Sequence, residues 1–168
     1  MPPPVMKLAA ILFGVSVTLH NLEEALFLVR WSRTHLKLWF APDQRIYSIL
    51  TSLVSIAVWI PVIGVCVWPQ NVRLQSALAG FALAMTLNAV FPHLLVSVAT
   101  RSYSPGTGTG MLLNLPLGVW LIHEQLKAHL LADVWRQAVP YAVLLALGAF
   151  GSLFGAHAIM AGRHGPQT

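Results

Sequence analysis

The chain has 168 residues, 57% of them hydrophobic and only 9% charged, with ten Lys and Arg against five Asp and Glu for a net charge of +5. About a quarter of the residues in a soluble domain are charged, so this composition and a mean hydropathy of +0.70 exclude a soluble globular protein and place the chain in a membrane. The basic surplus marks membrane faces rather than a nucleic-acid surface, because no basic stripe interleaved with aromatics sits on a polar domain.

A helix needs about 20 apolar residues to cross the hydrocarbon core. Five stretches are candidates: residues 8–29, 47–67, 72–99, 106–126 and 139–161. The fourth is the weakest, with a strictly apolar run only from 111 to 122. The opening MPPPVMKLAA does not read as a cleavable signal, since the apolar run is too long and no small-residue cleavage site follows. Connections are short and no internal repeat is visible. The expected architecture is therefore all-α: a polytopic membrane helical bundle of about five transmembrane helices, forming one domain over residues 1–168. Cys66 is the single cysteine, so no intrachain disulfide forms and no cysteine metal site is indicated. The first loop, RWSRTHLKLWFAPDQR, holds Arg30, Arg33, Lys37 and Arg45. With that loop inside, the basic residues favour an outside N-terminus by six against four, a mild bias.

The first span carries TLHNLEEALFLV, with His20, Glu23 and Glu24 at i, i+3 and i+4. An ionised carboxylate at mid-membrane costs roughly 2.5–3.5 kcal/mol, a cost tolerated where the group is paired, protonated or used. Residues three and four apart stack on one helix face, so all three are expected to point into the bundle. An imidazole and two carboxylates suit one divalent metal, Zn, Fe or Mn. They equally suit acid–base work, because apolar surroundings raise a carboxylate's pKa. Asn88 and His93 can complete the site from the third span. They are about 140° out of phase on an ideal helix, and Pro92 can loosen the turn between them.

Depth groups the remaining polar residues. At about 1.5 Å per residue, Glu24, Asn88, His93 and His157 all fall in one leaflet, roughly 4–11 Å past the midpoints of their spans. The start of the second span occupies the same leaflet, and there Ser48, Thr51, Ser52 and Ser55 share one helical face. The loop TRSYSPGTGTG emerges on this side. A polar pocket opening toward that loop is expected, lined by Thr51, Ser55, Tyr103 and His157. The GTGTG segment follows a membrane span rather than a strand, so a nucleotide loop is not expected; it reads as a lid or a source of N–H groups. His123, Glu124, His129 and Asp133 lie at the opposite membrane face, where helix-end solvation explains them. His35, Trp31, Trp39 and Trp68 suit headgroup contacts, and GSLFG (residues 151–155) is a packing motif.

HNLEE, then NAVFPH, then YSPGTGTG resembles the HXXEE family of small integral membrane proteins, and the match spans most of the chain. The resemblance implies a polytopic membrane protein with a His/Glu active site and supplies no substrate. Glutamate-dependent intramembrane peptidases of the CAAX-processing type share the ingredients but not the spacing. They call for EExxxR and FxxxH, where this chain has Leu28 and reads Phe91-Pro92-His93.

The function expected is an intramembrane enzyme acting on a lipid-like or isoprenoid-like substrate. His20, Glu23, Glu24 and His93 would bind a metal that activates water, or His20, Glu23, Glu24, Asn88 and His93 would run carboxylate acid–base isomerisation or cyclisation. Two other classes use the same residues: a carrier or channel for protons or divalent metal, and a non-catalytic accessory subunit. The partners expected are the lipid bilayer and a hydrophobic small molecule, with no nucleic acid. The bacterial inner (cytoplasmic) membrane is the expected location.

Overall fold

A computed structural model describes residues 4–36, 43–148 and 151, and all regular structure within them is helical. In chain order these are α1 (Pro4–His35), α2 (Gln44–Val67), α3 (Val72–Asn88), a π-helical segment (Ala89–Leu94) and α4 (Leu95–Thr100). There follow α5 (Thr107–Thr109), a second π-helical segment (Gly110–Asn114), α6 (Leu115–Lys127) and α7 (Val134–Gln137). Val139–Gly148 is a further short apolar helix. Three helices are long and apolar enough to cross a membrane: Pro4–His35, Gln44–Val67 and the joined run Val72–Thr100. His157, the greater part of the fifth apolar stretch and most of GSLFG lie outside the described residues.

Local chemistry sets the helix starts. The Asp43 carboxylate accepts from the N–H groups of Arg45 and Ile46 at 2.9 and 3.0 Å, and Asn71 accepts from those of Arg73 and Leu74, satisfying donors a helix leaves orphaned. The outward side of α2 is an aliphatic stripe of Ile49, Leu53, Ile56, Ile60, Ile63 and Val67, all more than half exposed. Such a continuous exposed apolar face is stable against lipid and costly against water. On α1, Met6, Ala9, Ala10, Phe13 and Val17 turn inward and pack with Val58, Val62 and Val65 of α2 and Leu78 and Ala82 of α3. At one end of the bundle, the Gln125 amide donates to the side-chain oxygen of Gln75 at 2.7 Å and to its backbone carbonyl at 3.0 Å, tying α3 to α6.

Candidate active site

The inward stripe of α1 does not stop at Val17. It continues one turn at a time to His20 and Glu24, respectively 0% and 8% exposed. The polar centre is thus built on the same face as the apolar core. Glu23 is about 100° around the helix from its neighbour, and it leaves the core for a different surface.

From the third span come Asn88 and His93. The π-helical segment, with Phe91 at φ −127° and ψ 117°, breaks the phase that would otherwise separate them. Both then face His20. The Asn88 amide donates to His20 Nε2 at 3.1 Å, and the two imidazoles meet edge to face with centroids 5.0 Å apart. Glu24 Oε1 sits 2.7 Å from His93 Nε2 and 3.5 Å from His20 Nε2. One ligand atom from each of His20, Glu24 and His93 lies within 4.8 Å of the others, and all three residues are buried.

Hydrogen bonding orients this triad. Tyr47 of α2 donates to Glu24 Oε2 at 2.9 Å. The hydroxyl of Thr109 gives its single proton to Glu23 Oε2 at 2.7 Å, so it accepts from His20 Nδ1, 3.1 Å away. The protonated nitrogen of His20 is then Nδ1, and the lone pair on Nε2 faces Glu24 and Asn88. His93 Nε2 is buried, and its close neighbour is the Glu24 carboxylate at 2.7 Å. Two imidazole nitrogens and a carboxylate grouped this closely are donor types a cation takes, on condition that Asn88 releases the His20 Nε2 lone pair its amide now occupies.

Glu23 belongs to a second compartment. Tyr103 donates to Glu23 Oε1 at 2.6 Å and itself accepts from the Gly108 N–H at 3.0 Å. Partial burial and the bond to Glu23 hold the Tyr103 hydroxyl above the ordinary tyrosine range, so it remains a proton donor at neutral pH. These two residues stand in a groove of about 450 Å³ between α1 and the loop that follows α4. The loop turns on Ser104-Pro105-Gly106-Thr107. Thr107 N–H donates to the Ser104 carbonyl at 3.0 Å, and Gly106 has φ 93° and ψ −20°, the backbone of a type II turn with proline and glycine at their preferred positions. Gly106 packs directly on the His93 ring.

The structure therefore brings His20, Glu24, Asn88 and His93 together and sets Glu23 with Tyr103. The expectation that Glu23 joins the metal ligands is corrected: its carboxylate is taken up by the hydroxyls of Tyr103 and Thr109, while the grouped ligand atoms are those of His20, Glu24 and His93. Thr51 and Ser55 do not line the groove. Thr51 donates to backbone carbonyls of its own helix, and Ser55 accepts from Asn21 at 3.0 Å, so both serve α1–α2 packing. Sequence reasoning passed over Tyr47 and Thr109. Tyr47 lies one helical turn before Thr51, and that spacing is a readable signal; Thr109, in a glycine-rich loop 86 residues from Glu23, has none.

Comparison with known proteins gives a consistent setting. A family described as "Protein of unknown function with HXXEE motif" matches residues 11–121, which include every member of the triad. The uncharacterized protein YrkK of Bacillus subtilis (strain 168) is 29% identical over 127 residues, 76% of this chain and 79% of that protein. The Na(+)/H(+) antiporter NhaA 2 of Frankia alni is 38% identical over 81 residues, 45% of this chain but only 17% of the antiporter. No solved structure matches.

Proposed function

The chain belongs to the HXXEE family, and on that premise we propose that it is an intramembrane enzyme for a lipid-like or isoprenoid-like substrate, crossing a bacterial cytoplasmic membrane five times. The observation that carries this reading is the convergence of His20, Glu24 and His93, buried, with ligand atoms within 4.8 Å. Two imidazole nitrogens and a carboxylate form a donor set for Zn, Fe or Mn with positions left open. Bound there, such an ion supplies Lewis acidity and lowers the pKa of water. The rest of the chemistry belongs to the chain. Tyr47 holds the second oxygen of Glu24, Thr109 sets the His20 tautomer, and Asn88 fixes the ring. At the groove, Glu23 accepts a proton and Tyr103 offers one.

Metal analysis of the purified chain tests this. One stoichiometric metal, lost in His93→Ala and Glu24→Gln but kept in Glu23→Gln, is the expected result. A metal-free folded protein, or equal depletion by both glutamate variants, overturns it.

A second reading rests on one chain of contacts: Glu24, His20, Thr109, Glu23 and Tyr103 form a relay from the buried triad to the groove. With the partial likeness to a Na(+)/H(+) antiporter, that relay supports proton or divalent-metal transport. Proteoliposome flux that Glu23→Gln abolishes would favour transport over catalysis.

A further inference from the structure

Beyond the triad, α1 carries another stripe. Glu23, Phe27, Arg30, Trp31 and Thr34 follow one another at i, i+4, i+7, i+8 and i+11, and Tyr103 with Pro105 closes the opposite wall. A volume near 450 Å³ falls within the range of small-molecule sites, about 300–1,000 Å³. The aromatic wall is held in place: the Trp31 indole donates to Ser102 Oγ at 3.2 Å, and His35 stacks on it with centroids 4.9 Å apart.

The charges in this groove are ordered along its length. Arg30 stands near the end of α1, exposed, with no ion pair or hydrogen bond among the described residues. Seven residues back, at a rise of about 1.5 Å each, the Glu23 carboxylate lies roughly 10 Å deeper. Between them the lining is Phe27, and Trp31 stands beside Arg30 at the head end. A guanidinium binds a phosphate through two parallel N–H bonds, and its own positive charge disfavours a cationic headgroup.

We infer that the groove takes a phosphate-headed anionic lipid from the surrounding bilayer, its head on Arg30 beside Trp31, its chain along Phe27, and the stretch about 10 Å from the head presented to Glu23. The inference names the substrate class of the proposed enzyme and rests on that reading only for what happens at Glu23; binding in the groove is separate from the metal ligands.

The experiment uses the full chain in nanodiscs with two probes, phosphatidic acid and phosphatidylcholine, and counts retained lipid by native mass spectrometry. Phosphatidic acid should be retained selectively. Arg30→Gln should lower its retention about tenfold, the scale of a lost charge-assisted hydrogen bond. Arg30→Lys should fall in between, and Arg73→Gln, an exposed arginine at the start of α3, should leave retention intact. Phosphatidic acid carrying a diazirine near the carbonyl end of its acyl chain should cross-link to Glu23 or Phe27, which keeps the test valid if Arg30→Gln misfolds. Equal retention of the two lipids overturns the inference, as does unchanged retention in Arg30→Gln or cross-linking confined to the outer residues Leu19, Leu22 and Leu26. Loss of retention in Arg73→Gln also overturns it. Loss of metal with lipid selectivity preserved would fault the enzyme reading alone.

Discussion

Gly106→Ala puts the turn and the metal centre to a joint test. Gly106 has φ 93°, a left-handed backbone that costs a residue bearing a Cβ about 1–2 kcal/mol. The added Cβ would lie 2.5 Å from His93 Cε1 and 2.8 Å from Nδ1, where ordinary contact begins at 3.4 Å. Either the ring withdraws by about 0.9 Å, pulling Nε2 off its 2.7 Å approach to Glu24, or the turn opens and releases it. The unfolding free energy should fall by about 1–3 kcal/mol, the usual range for a forced backbone conformation. Metal affinity should drop roughly 10–100-fold, as when a ligand loses its supporting contact. Reversible denaturation in mixed micelles and competition with a chromophoric chelator measure the two effects. Gly148→Ala is the matched control, since its Cβ would meet nothing within 4 Å; it should be neutral or stabilising by up to about 1 kcal/mol. If Gly106→Ala binds metal and unfolds like the wild type, the packing of this turn on His93 is irrelevant and the reasoning fails.

Three further outcomes are expected. Tyr47→Phe removes only the donor to Glu24 Oε2 and should cost about 1–3 kcal/mol in the same denaturation assay, the cost of a buried acceptor left unsatisfied; a change under a few tenths would show that water already serves that oxygen. Thr109→Val keeps shape but breaks the links to Glu23 and His20; chelator competition should show metal affinity lowered about 10–100-fold, and an unaltered affinity would separate the loop from the triad. Ile56→Asp, on the outward stripe of α2 and 64% exposed, should impair membrane insertion by about 2.5–3.5 kcal/mol in a glycosylation-mapping assay. An unaffected insertion would mean that this face meets water or protein.

Much of this arrangement is legible in the sequence, because a membrane helix declares itself by length and composition. Of the five spans read from apolar run length, three are helices long and apolar enough to cross a membrane among the described residues, and the pairing of His20 with Glu24 follows from i, i+4 spacing. The convergence of Asn88 with His93 is only half legible: Pro92 signals a break, but the direction in which a π-helical segment rotates the next turn depends on what it packs against. The divergence of Glu23 from Glu24 is a matter of angle. Three residues at i, i+3 and i+4 span about 100° of helix surface, and only the neighbouring elements decide where the core ends and the groove begins. Contacts such as His20 to Thr109, 89 residues apart, leave no periodic trace.

The segment from Tyr103 to Thr109 borders both chambers: Tyr103 and Pro105 face the groove, while Gly106 abuts His93 and Thr109 reaches His20. Were a guest to occupy each side, this shared strip is where the two would be coupled, and linkage makes any such coupling reciprocal. Whatever factor a guest on one side imposed on affinity at the other would be returned unchanged in the opposite direction, so titrating either one with and without its counterpart would give a single coupling free energy.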